Sequence, residues 1–567
     1  MQESGTATRM NERVRIWVLV GLSAVVYANS LPNSFTYDDF LYVLNNPLVT
    51  SPSLRGFFTA TPFSNVFRPV TFASFSLNWV IGNIHAVGYH LLNLLLHAAV
   101  VVLLYFVLRR LLEGVERGQT IAFVAAALFA VHPIHTEAVA SIVGRSELLA
   151  AGFLLAAWLL HLQDRLLPAL LCFVLAMMAK ESAVALVPLV VAGDYARGKW
   201  KPLTRYGWIV VVAMAYAVVL FKAQGGVFGE HGVDPLDNPL ANLPARLRIL
   251  NALRVAWKYV GLLVYPARLS YDYSYNAIPV YADGRHTLPA AIAAASVLAL
   301  LIWAVRARRT EWIVAGAIYL GTFAVTANIV IPTGTIMGER LAYLPSAGFC
   351  LLLAVLWASL EKRQAAVAWA VLVLVLAALG ARTMVRNRDW KSNYTLYLSA
   401  EHVVPNDSRL HANLGGFYMD NGNLELARTE LQTALRIYPN FPDANEFYGL
   451  TEVRLGHDDT ALPLLRRALE LTRRDSPRYP EREINLAAML VKLGKDDEAL
   501  TLLNDAVAGA PGNPRGWSNR AVVHYRRGEM DMARADAEMA LRVDPFNGQA
   551  QGVLRAMGVG KTAGPTK

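Results

Sequence analysis

The distribution of apolar and charged residues divides the chain into two parts. Between residues 14 and 381 the sequence contains long apolar runs with few charges, whereas the residues after 382 carry charges throughout. A helix of about 20 apolar residues crosses the ~30 Å hydrocarbon core of a bilayer, and it satisfies its own backbone hydrogen bonds there. The pattern therefore predicts an all-α protein, with a polytopic membrane helical bundle followed by a soluble helical array.

The bundle is predicted to contain about eleven spans, and basic clusters lie beside the ends that face the cytoplasm. Because Lys and Arg concentrate in cytoplasmic loops, the first outer loop, residues 32–85, and everything after Arg382 are expected on the non-cytoplasmic side. The apolar segment 250–266 carries Arg254 and Lys258 and is predicted to be interfacial or re-entrant. The predicted spans are residues 14–31, 86–108, 119–137, 148–162, 166–180, 182–194, 205–222, 287–305, 311–331, 340–360 and 364–381.

Composition agrees with a membrane protein and argues against a nucleic-acid partner. Of 567 residues, 55% are hydrophobic and 17% are charged, with 53 Lys and Arg against 43 Asp and Glu. The basic residues are scattered through short loops rather than gathered on one domain, so membrane orientation explains them better than nucleic-acid binding does. Cys172 and Cys350 both lie in apolar segments, which supports neither a disulfide framework nor a cysteine metal site.

The charged part of the chain repeats with a period close to 34 residues. Gly422, Gly456, Gly494 and Gly528 are spaced by 34, 38 and 34 residues; alanines keep the same steps, and the prolines that close the repeats are spaced by 38, 34 and 34. This period, with small residues at fixed places and a closing proline, is typical of tetratricopeptide (TPR) repeats, which form concave interaction surfaces. The predicted domains are the membrane domain 1–382, a linker or first helix 383–407, four TPR repeats over 408–556, and a flexible tail 557–567.

Acidic and basic residues stand close to the outer end of the first predicted span. Asp38 and Asp39 lie in an aromatic stretch, where a carboxylate can act as a general base or coordinate a divalent cation. Solvated acids at a helix N-terminus are the alternative. Arg68 can hold a phosphate through two parallel hydrogen bonds, or its guanidinium can extend to lipid headgroups instead.

Further polar candidates occur along the later spans, where such residues are costly. His90, Asn93 and His97 lie on one face of the second span and can either join helices through hydrogen bonds or bind a ligand. His135 and Glu137 are metal-ligand types. In the predicted topology these clusters all fall on the outer side. The remaining candidates are His132, Arg145, Glu147, Lys180, for which an ion pair with Glu181 is the alternative, Glu339 and Arg340.

Together these stretches resemble the transmembrane-and-TPR-containing O-mannosyltransferases, the TMTC family, which belongs with the protein O-mannosyltransferases and oligosaccharyltransferases of the GT-C fold. The resemblance covers nearly the whole chain. It departs in repeat number, because four repeats stand where animal members carry more, and it is less clear over residues 223–286. The matching stretches are Tyr37-Asp38-Asp39 with Asn46-Pro47, residues 67–71, 89–97 and 129–137, Val143 to Glu147, Ala179-Lys180-Glu181, and Glu339-Arg340 with residues 343–346.

The resemblance implies transfer of a sugar, expected to be mannose, from a polyprenyl- or dolichyl-phosphate carrier to protein Ser or Thr hydroxyls outside the membrane. It implies that Asp38 or Asp39 is the catalytic acid, with Asp38 favoured as the base, and that the TPR array holds the acceptor. Such a transfer needs cations that stabilise the departing lipid phosphate, and Arg68, Arg145, Lys180 and Arg340 are the available ones. By the resemblance, His135 with Glu137 would hold an optional Mn²⁺ or Mg²⁺ ion. The expected location is a bacterial plasma membrane, or the endoplasmic reticulum membrane in a eukaryote.

Two other functions remain open from the residues alone. O-antigen ligases and bacterial oligosaccharyltransferases also have many spans, but they place Arg and His in a large late outer loop, whereas loop 332–339 is short here. A membrane-anchored TPR scaffold without activity is the second alternative. A scaffold would not need acids and cations gathered on one side of the bundle.

Overall fold

A computed structural model describes residues 11–58, 66–224, 232–281 and 287–558. Contacts divide the chain into two compact units, Met1–Pro405 and Asn406–Lys567. Within the described residues the regular secondary structure is helical, and no strand occurs. The predicted all-α fold class is therefore confirmed.

The first unit contains seventeen α-helices in its described residues, and every predicted span overlaps at least one of them. They are α1 Glu12–Tyr27, α2 Pro47–Thr50, α3 Leu54–Phe57, α4 Pro69–Gly82, α5 Ala86–Leu111, α6 Gly118–Val131, α7 Thr136–Val139, α8 Arg145–Leu162, α9 Leu166–Ala179, α10 Leu186–Arg197, α11 Leu203–Gln224, α12 Ala245–Val264, α13 Leu288–Arg306, α14 Thr310–Phe323, α15 Pro345–Glu361, α16 Ala365–Asp389 and α17 Asn393–Glu401. Single turns at 181–185 and 339–342 separate some of these helices.

Fewer helices than predicted are long enough to cross a bilayer by themselves. In the described residues α5, α8, α11, α13 and α16 meet the requirements of length and hydropathy, and α6 with its bent continuation would make six. The shortfall has a local cause. The chain bends by 54° at Pro133, and a turn between α9 and α10 leaves helices of only 14 and 12 residues. The chain is nonetheless a membrane protein by its several apolar helices.

Helices α5, α6, α8 and α15 form the centre of the bundle. Twelve of the fourteen residues of α6 are buried, as expected for a helix that is apolar on all sides. By contrast, the apolar windows of α11 and α13 are only 6% and 11% buried, which is typical of helices that face lipid. The central packing fixes the ends of α6, α8 and α15, and several of the candidate residues lie at those ends.

Helix α12 is the segment predicted to be interfacial or re-entrant. Its buried positions include Val255, Tyr259 and Leu263, while Trp257 on the other face is 49% exposed. Its amphipathic character agrees with an interfacial helix. In the described residues it is not among the candidate spans.

The second unit consists, in residues 406–558, of four helix pairs and a last helix. The glycines of the repeat end the first helix of each pair, and all four have positive φ between 71° and 82°, a conformation that glycine adopts without a Cβ clash. The helices are α18 Ser408–Asp420, α19 Leu424–Ile437, α20 Pro442–Leu455, α21 Asp458–Glu470, α22 Tyr479–Lys492, α23 Asp496–Gly509, α24 Pro514–Arg526, α25 Met530–Val543 and α26 Gly548–Ala556.

Candidate functional site

A polar cavity lies where the loop after α1, the start of α4 and the turn before α15 meet. Asp38, Tyr42, Arg68, Ser146 and Arg340 contribute the polar side chains of its wall. Sequence separation between these residues reaches 302 positions, so only the packing of the bundle brings them together. We call this the outer cavity.

The two adjacent carboxylates have different environments. Asp39 is fully buried, and its oxygens accept hydrogen bonds from the amides of Thr36, at 2.9 Å, and Val143, at 3.0 Å. Burial raises the pKa of Asp39 to about 7, although both amides oppose that shift. Asp38 instead lines the outer cavity with 25% of its side chain exposed. Asp39 therefore ties the first loop to the turn before α8, while Asp38 is open to a ligand.

Arg340 connects Asp38 to a second, buried carboxylate. Its Nη1 atom lies 3.5 Å from Oδ2 of Asp38 and 3.0 Å from Oε1 of Glu137, and its amide donates to Glu137 Oε2 at 2.8 Å. Glu137 is nearly inaccessible, whereas 30% of the Arg340 side chain is exposed. Glu137 thus holds the charged Arg340 guanidinium in place, and the guanidinium still faces the cavity.

Two further ion pairs include one residue of the cavity wall, Arg68. Arg68 precedes α4 and binds Glu181 through two parallel hydrogen bonds of 3.1 and 2.7 Å. Next to Glu181, Lys180 is buried and pairs with Glu147. Arg68 is 20% exposed and lines the outer cavity, while Lys180 is held inside the protein. Of these two cations, Arg68 is therefore the better placed to meet a ligand.

Arg145 is not brought into this group. It is fully buried, and its guanidinium donates to Asn93 Oδ1, Asn78 Oδ1 and the carbonyls of Ser74 and Tyr89, at 2.6 to 3.1 Å. The Asn93 amide group in turn donates to the carbonyls of residues 139, 141 and 142. Since these bonds engage both terminal nitrogens and Nε, the structure gives Arg145 and Asn93 a role in joining α4, α5 and α8, rather than in holding phosphate.

The four candidate histidines are buried, and a ring nitrogen of each makes a hydrogen bond with a protein oxygen. His90 contacts the Asn33 carbonyl, and His132 contacts that of Leu263. His97 contacts the Tyr343 hydroxyl at 2.8 Å and the Ala130 carbonyl. His135 contacts the Ser346 hydroxyl at 2.7 Å, and its ring packs on Phe129. All four contribute packing and hydrogen bonds that join helices.

The predicted ion ligands His135 and Glu137 do not form a pair. His135 is directed to Ser346 on α15, and Glu137 is directed to Arg340, which already neutralises its charge. Among the described residues, no group of three or more His, Cys, Asp or Glu side chains is arranged to hold a metal ion. These two residues therefore do not fit a divalent ion.

Glu339 is also buried, and it reveals a part of the site that sequence reasoning missed. Its Oε1 atom accepts hydrogen bonds from the Ser270 amide, at 2.5 Å, and the Tyr273 hydroxyl, at 2.9 Å. The Tyr259 hydroxyl both donates to and accepts from the backbone of Gly338. Burial raises the pKa of Glu339 to about 8, which Arg386 opposes. Segment 232–281 therefore anchors the turn that carries Arg340.

A signal for this role exists in the sequence. Tyrosines alternate with small or acidic residues at Tyr271, Tyr273 and Tyr275, which places three hydroxyl groups within five residues; a buried tyrosine hydroxyl usually finds a hydrogen-bond partner. The alternation extends over only five residues, which is too short to predict an element.

Two family models of known proteins match parts of the chain. A family model described as protein O-mannosyl-transferase TMTC, DUF1736, matches residues 231–297, and a tetratricopeptide-repeat model matches residues 399–480 and 485–548. The first match covers the whole of segment 232–281 and most of residues 223–286, where the resemblance was less clear. The TPR repeats are thereby confirmed.

Curated relatives match along most of the chain. Protein O-mannosyl-transferase F38B6.6 of Caenorhabditis elegans is 30% identical over 75% of this chain and 63% of its own length. TMTC3 of Mus musculus is 29% identical over 79% and 53%, and TMTC1 of Homo sapiens is 27% identical over 75% and 55%, respectively. The chain thus spans little more than half to about five-eighths of these relatives. The resemblance to the TMTC family is confirmed.

Proposed function

We propose, from this similarity to proteins named O-mannosyl-transferases, that the chain is a membrane glycosyltransferase that transfers mannose from a polyprenyl- or dolichyl-phosphate carrier to Ser or Thr hydroxyls of proteins. The observation that carries the proposal is the outer cavity, which the Asp38 carboxylate lines together with two partly exposed guanidiniums, those of Arg340 and Arg68. A carboxylate beside fixed cations is the arrangement that transfer from a lipid phosphate requires.

In this mechanism Asp38 is the general base. The acceptor oxygen forms a bond to the anomeric carbon of the sugar while the bond from that carbon to the phosphate oxygen breaks. The hydroxyl proton passes to Asp38, and the lipid phosphate leaves with the electron pair. Attack opposite the leaving group inverts the anomeric configuration.

Arg340 and Arg68 stabilise the departing phosphate. Both cations are held in place by carboxylates, Glu137 and Glu181, before a ligand arrives. Fixed cations need no rearrangement when charge develops on the leaving group, and this is why such groups contribute strongly to rate. Arg145 takes no part in this step because its guanidinium is buried among protein acceptors.

The lipid tail would occupy an apolar cavity of about 200 Å³ between α12, α13, α14 and α15. Leu263, Leu301, Tyr319 and Phe349 are among its lining residues. Helix α12 links this cavity to the reacting groups, because Tyr259 on the same helix holds Gly338, two positions before Arg340. An isoprenoid tail is apolar, so a cavity with this lining suits it.

The topology and the repeats complete the proposal. The distribution of basic residues supports a non-cytoplasmic position for Asp38 and for the repeats. A concave TPR surface can hold an extended segment of an acceptor protein. The membrane would be the plasma membrane of a bacterium or the endoplasmic reticulum membrane of a eukaryote.

A transfer assay tests the proposal. The full chain in lipid vesicles is given polyprenyl-phosphate mannose and a library of Ser- and Thr-containing peptides, with polyprenyl-phosphate glucose as the matched donor control. We expect release of polyprenyl phosphate together with peptides carrying mannose of inverted configuration. Absence of both products with every donor, from correctly inserted protein, would contradict the proposal.

A further inference from the structure

The segment between α16 and the first TPR repeat packs against the loop that carries Asp38. We call residues 384–401 the connector; it continues a few residues later into the second unit, which begins at Asn406. The Asn29 side chain donates to the Met384 carbonyl at 2.7 Å, and the Asn33 side chain donates to the Asn387 carbonyl at 3.0 Å. The connector is therefore hydrogen-bonded along the start of the first loop.

The contact continues up to the residue before Asp38. The Ser34 amide donates to the Lys391 carbonyl at 3.1 Å, and the Tyr37 amide donates to Oδ1 of Asn393 at 2.8 Å. Asn393 is the first residue of α17, 356 positions after Tyr37. These two hydrogen bonds place the connector beside the loop that carries Asp38.

Tyr37 has a backbone conformation that needs such support. Its φ is +48°, in the left-handed region where a side chain other than that of glycine is disfavoured. Such a conformation persists when surrounding contacts hold it. Since Asp38 follows directly, the backbone of Tyr37 sets the direction in which the Asp38 side chain leaves the chain.

A second contact holds the other side of Tyr37. Its ring meets the Tyr271 ring edge-on at 4.8 Å, and Tyr271 meets Tyr397 of α17 at 5.4 Å between centroids. Tyr271 and Tyr397 are both buried. The connector therefore contacts Tyr37 directly at its amide and indirectly at its ring.

We propose that Asn393 is a positioning residue for the general base. Its amide oxygen holds Tyr37 in the left-handed conformation, and Asp38 is thereby directed into the outer cavity. This inference rests on the proposed function, because the direction of Asp38 affects turnover only if Asp38 takes the proton. It also makes the segment that leads into the repeats part of the machinery that sets the base.

The test compares two substitutions at position 393 and one control at position 401 in the full chain, assayed with polyprenyl-phosphate mannose and a Ser-containing peptide. Asn393→Leu has a similar size and no acceptor, and we expect kcat to fall roughly 10- to 100-fold, with KM for the lipid donor unchanged. Asn393→Asp keeps an oxygen at the same place and should recover most of kcat. Glu401→Gln, at the far end of α17, is the matched control and should behave as the wild type.

A double-mutant cycle separates positioning from general damage to the structure. In an Asp38→Asn background, Asn393→Leu should cause no further loss, because the group that it positions is already disabled. Additive losses would overturn the inference. If Asn393→Leu does not insert, Asn393→Gln displaces the acceptor by one methylene and should show the same cycle with a smaller loss.

The two proposals fail in different ways. Wild-type turnover by Asp38→Asn would overturn the proposed function, and the inference with it. Loss of turnover in Asp38→Asn with wild-type kcat in Asn393→Leu would overturn the positioning role alone.

Discussion

The outer cavity and the four buried candidate histidines both place polar side chains in an apolar bundle, but their contacts differ. Around the cavity, Asp38, Arg68 and Arg340 keep part of their side chains exposed, and their ion pairs leave a face of each group open. The histidines, in contrast, are buried and bonded to carbonyls and hydroxyls of neighbouring helices. Polar residues in a membrane bundle therefore indicate chemistry only where one of their atoms remains available to a ligand.

The largest effect is expected from exchanging the two adjacent acids. Asp38→Asn should lower turnover roughly 10²- to 10⁴-fold, the usual range for loss of a general base. Asp39→Asn should lower the turnover of folded protein far less, because its oxygens are engaged by backbone amides. Release of radiolabelled polyprenyl phosphate measures both. Equal losses in the two variants would remove the distinction between them.

Arg340→Gln should lower kcat by roughly 10²- to 10³-fold, the range for removal of one preorganised charge-stabilising group. It also leaves Glu137 buried without its partner, so the variant should lose stability. The double variant Arg340→Gln with Glu137→Gln should recover thermal stability and not turnover. Recovery of both would show that Arg340 has only a structural role.

Substitutions of Arg68 and Arg145 should have different effects, since Arg68 faces the cavity and Arg145 is buried. Arg68→Gln should lower kcat/KM for the lipid donor roughly ten-fold, about the value of one charged hydrogen bond. Arg145→Gln should instead destabilise the fold, on the order of 3 kcal/mol, with kcat/KM unchanged in the protein that does fold. Steady-state kinetics and thermal unfolding distinguish the two outcomes, and a reversed pattern would contradict the assignment.

The pKa of Asp39 predicts a smaller effect on stability. Burial raises this pKa from 3.8 to about 7, so the folded state holds a proton that the unfolded state releases near pH 4. The stability associated with Asp39 is present at low pH and declines as the pH rises through 7. Because Asp39→Asn cannot ionise, it escapes this decline. Its melting temperature minus that of the wild type should therefore increase as the pH rises from 5 to 8. A constant difference would contradict the shifted pKa.

The smallest effect on catalysis is expected from the histidines. His135→Ala removes the bond to Ser346 and leaves space beside Phe129, so the melting temperature should fall. Turnover per folded molecule should stay near that of the wild type, and its response to added Mn²⁺ should not change. A large loss of kcat that Mn²⁺ partly restores would revive the metal prediction for His135 and Glu137.

Much of the fold could be predicted because apolar runs and the 34-residue period are local signals. The length of each helix could not, since Pro133 and the turn at 181–185 divide runs that are continuous in hydropathy. Three residues of the outer cavity, Asp38, Arg68 and Arg340, stand in the stretches that resemble the TMTC family. These three residues could therefore be predicted as site residues from the sequence alone.

Partners and burial could not be predicted in the same way. Arg68 meets Glu181 across 113 positions, and Glu137 meets the amide of Arg340 across 203. Arg145 and Arg68 look alike in sequence, and only packing makes one a structural tie and the other a cavity residue. Segment 232–281 lacks a repeat or a period, so its anchoring of Glu339 depends on individual tyrosines.

Chemical rescue tests the central claim most directly. Asp38→Ala removes the proposed base and leaves space for a small carboxylate, while Asp39→Ala is the matched control. With polyprenyl-phosphate mannose and a Ser-containing peptide, we expect formate to restore transfer by Asp38→Ala in a concentration-dependent manner and to leave Asp39→Ala unchanged. Wild-type transfer by Asp38→Ala without formate would contradict the assignment of Asp38 as the base.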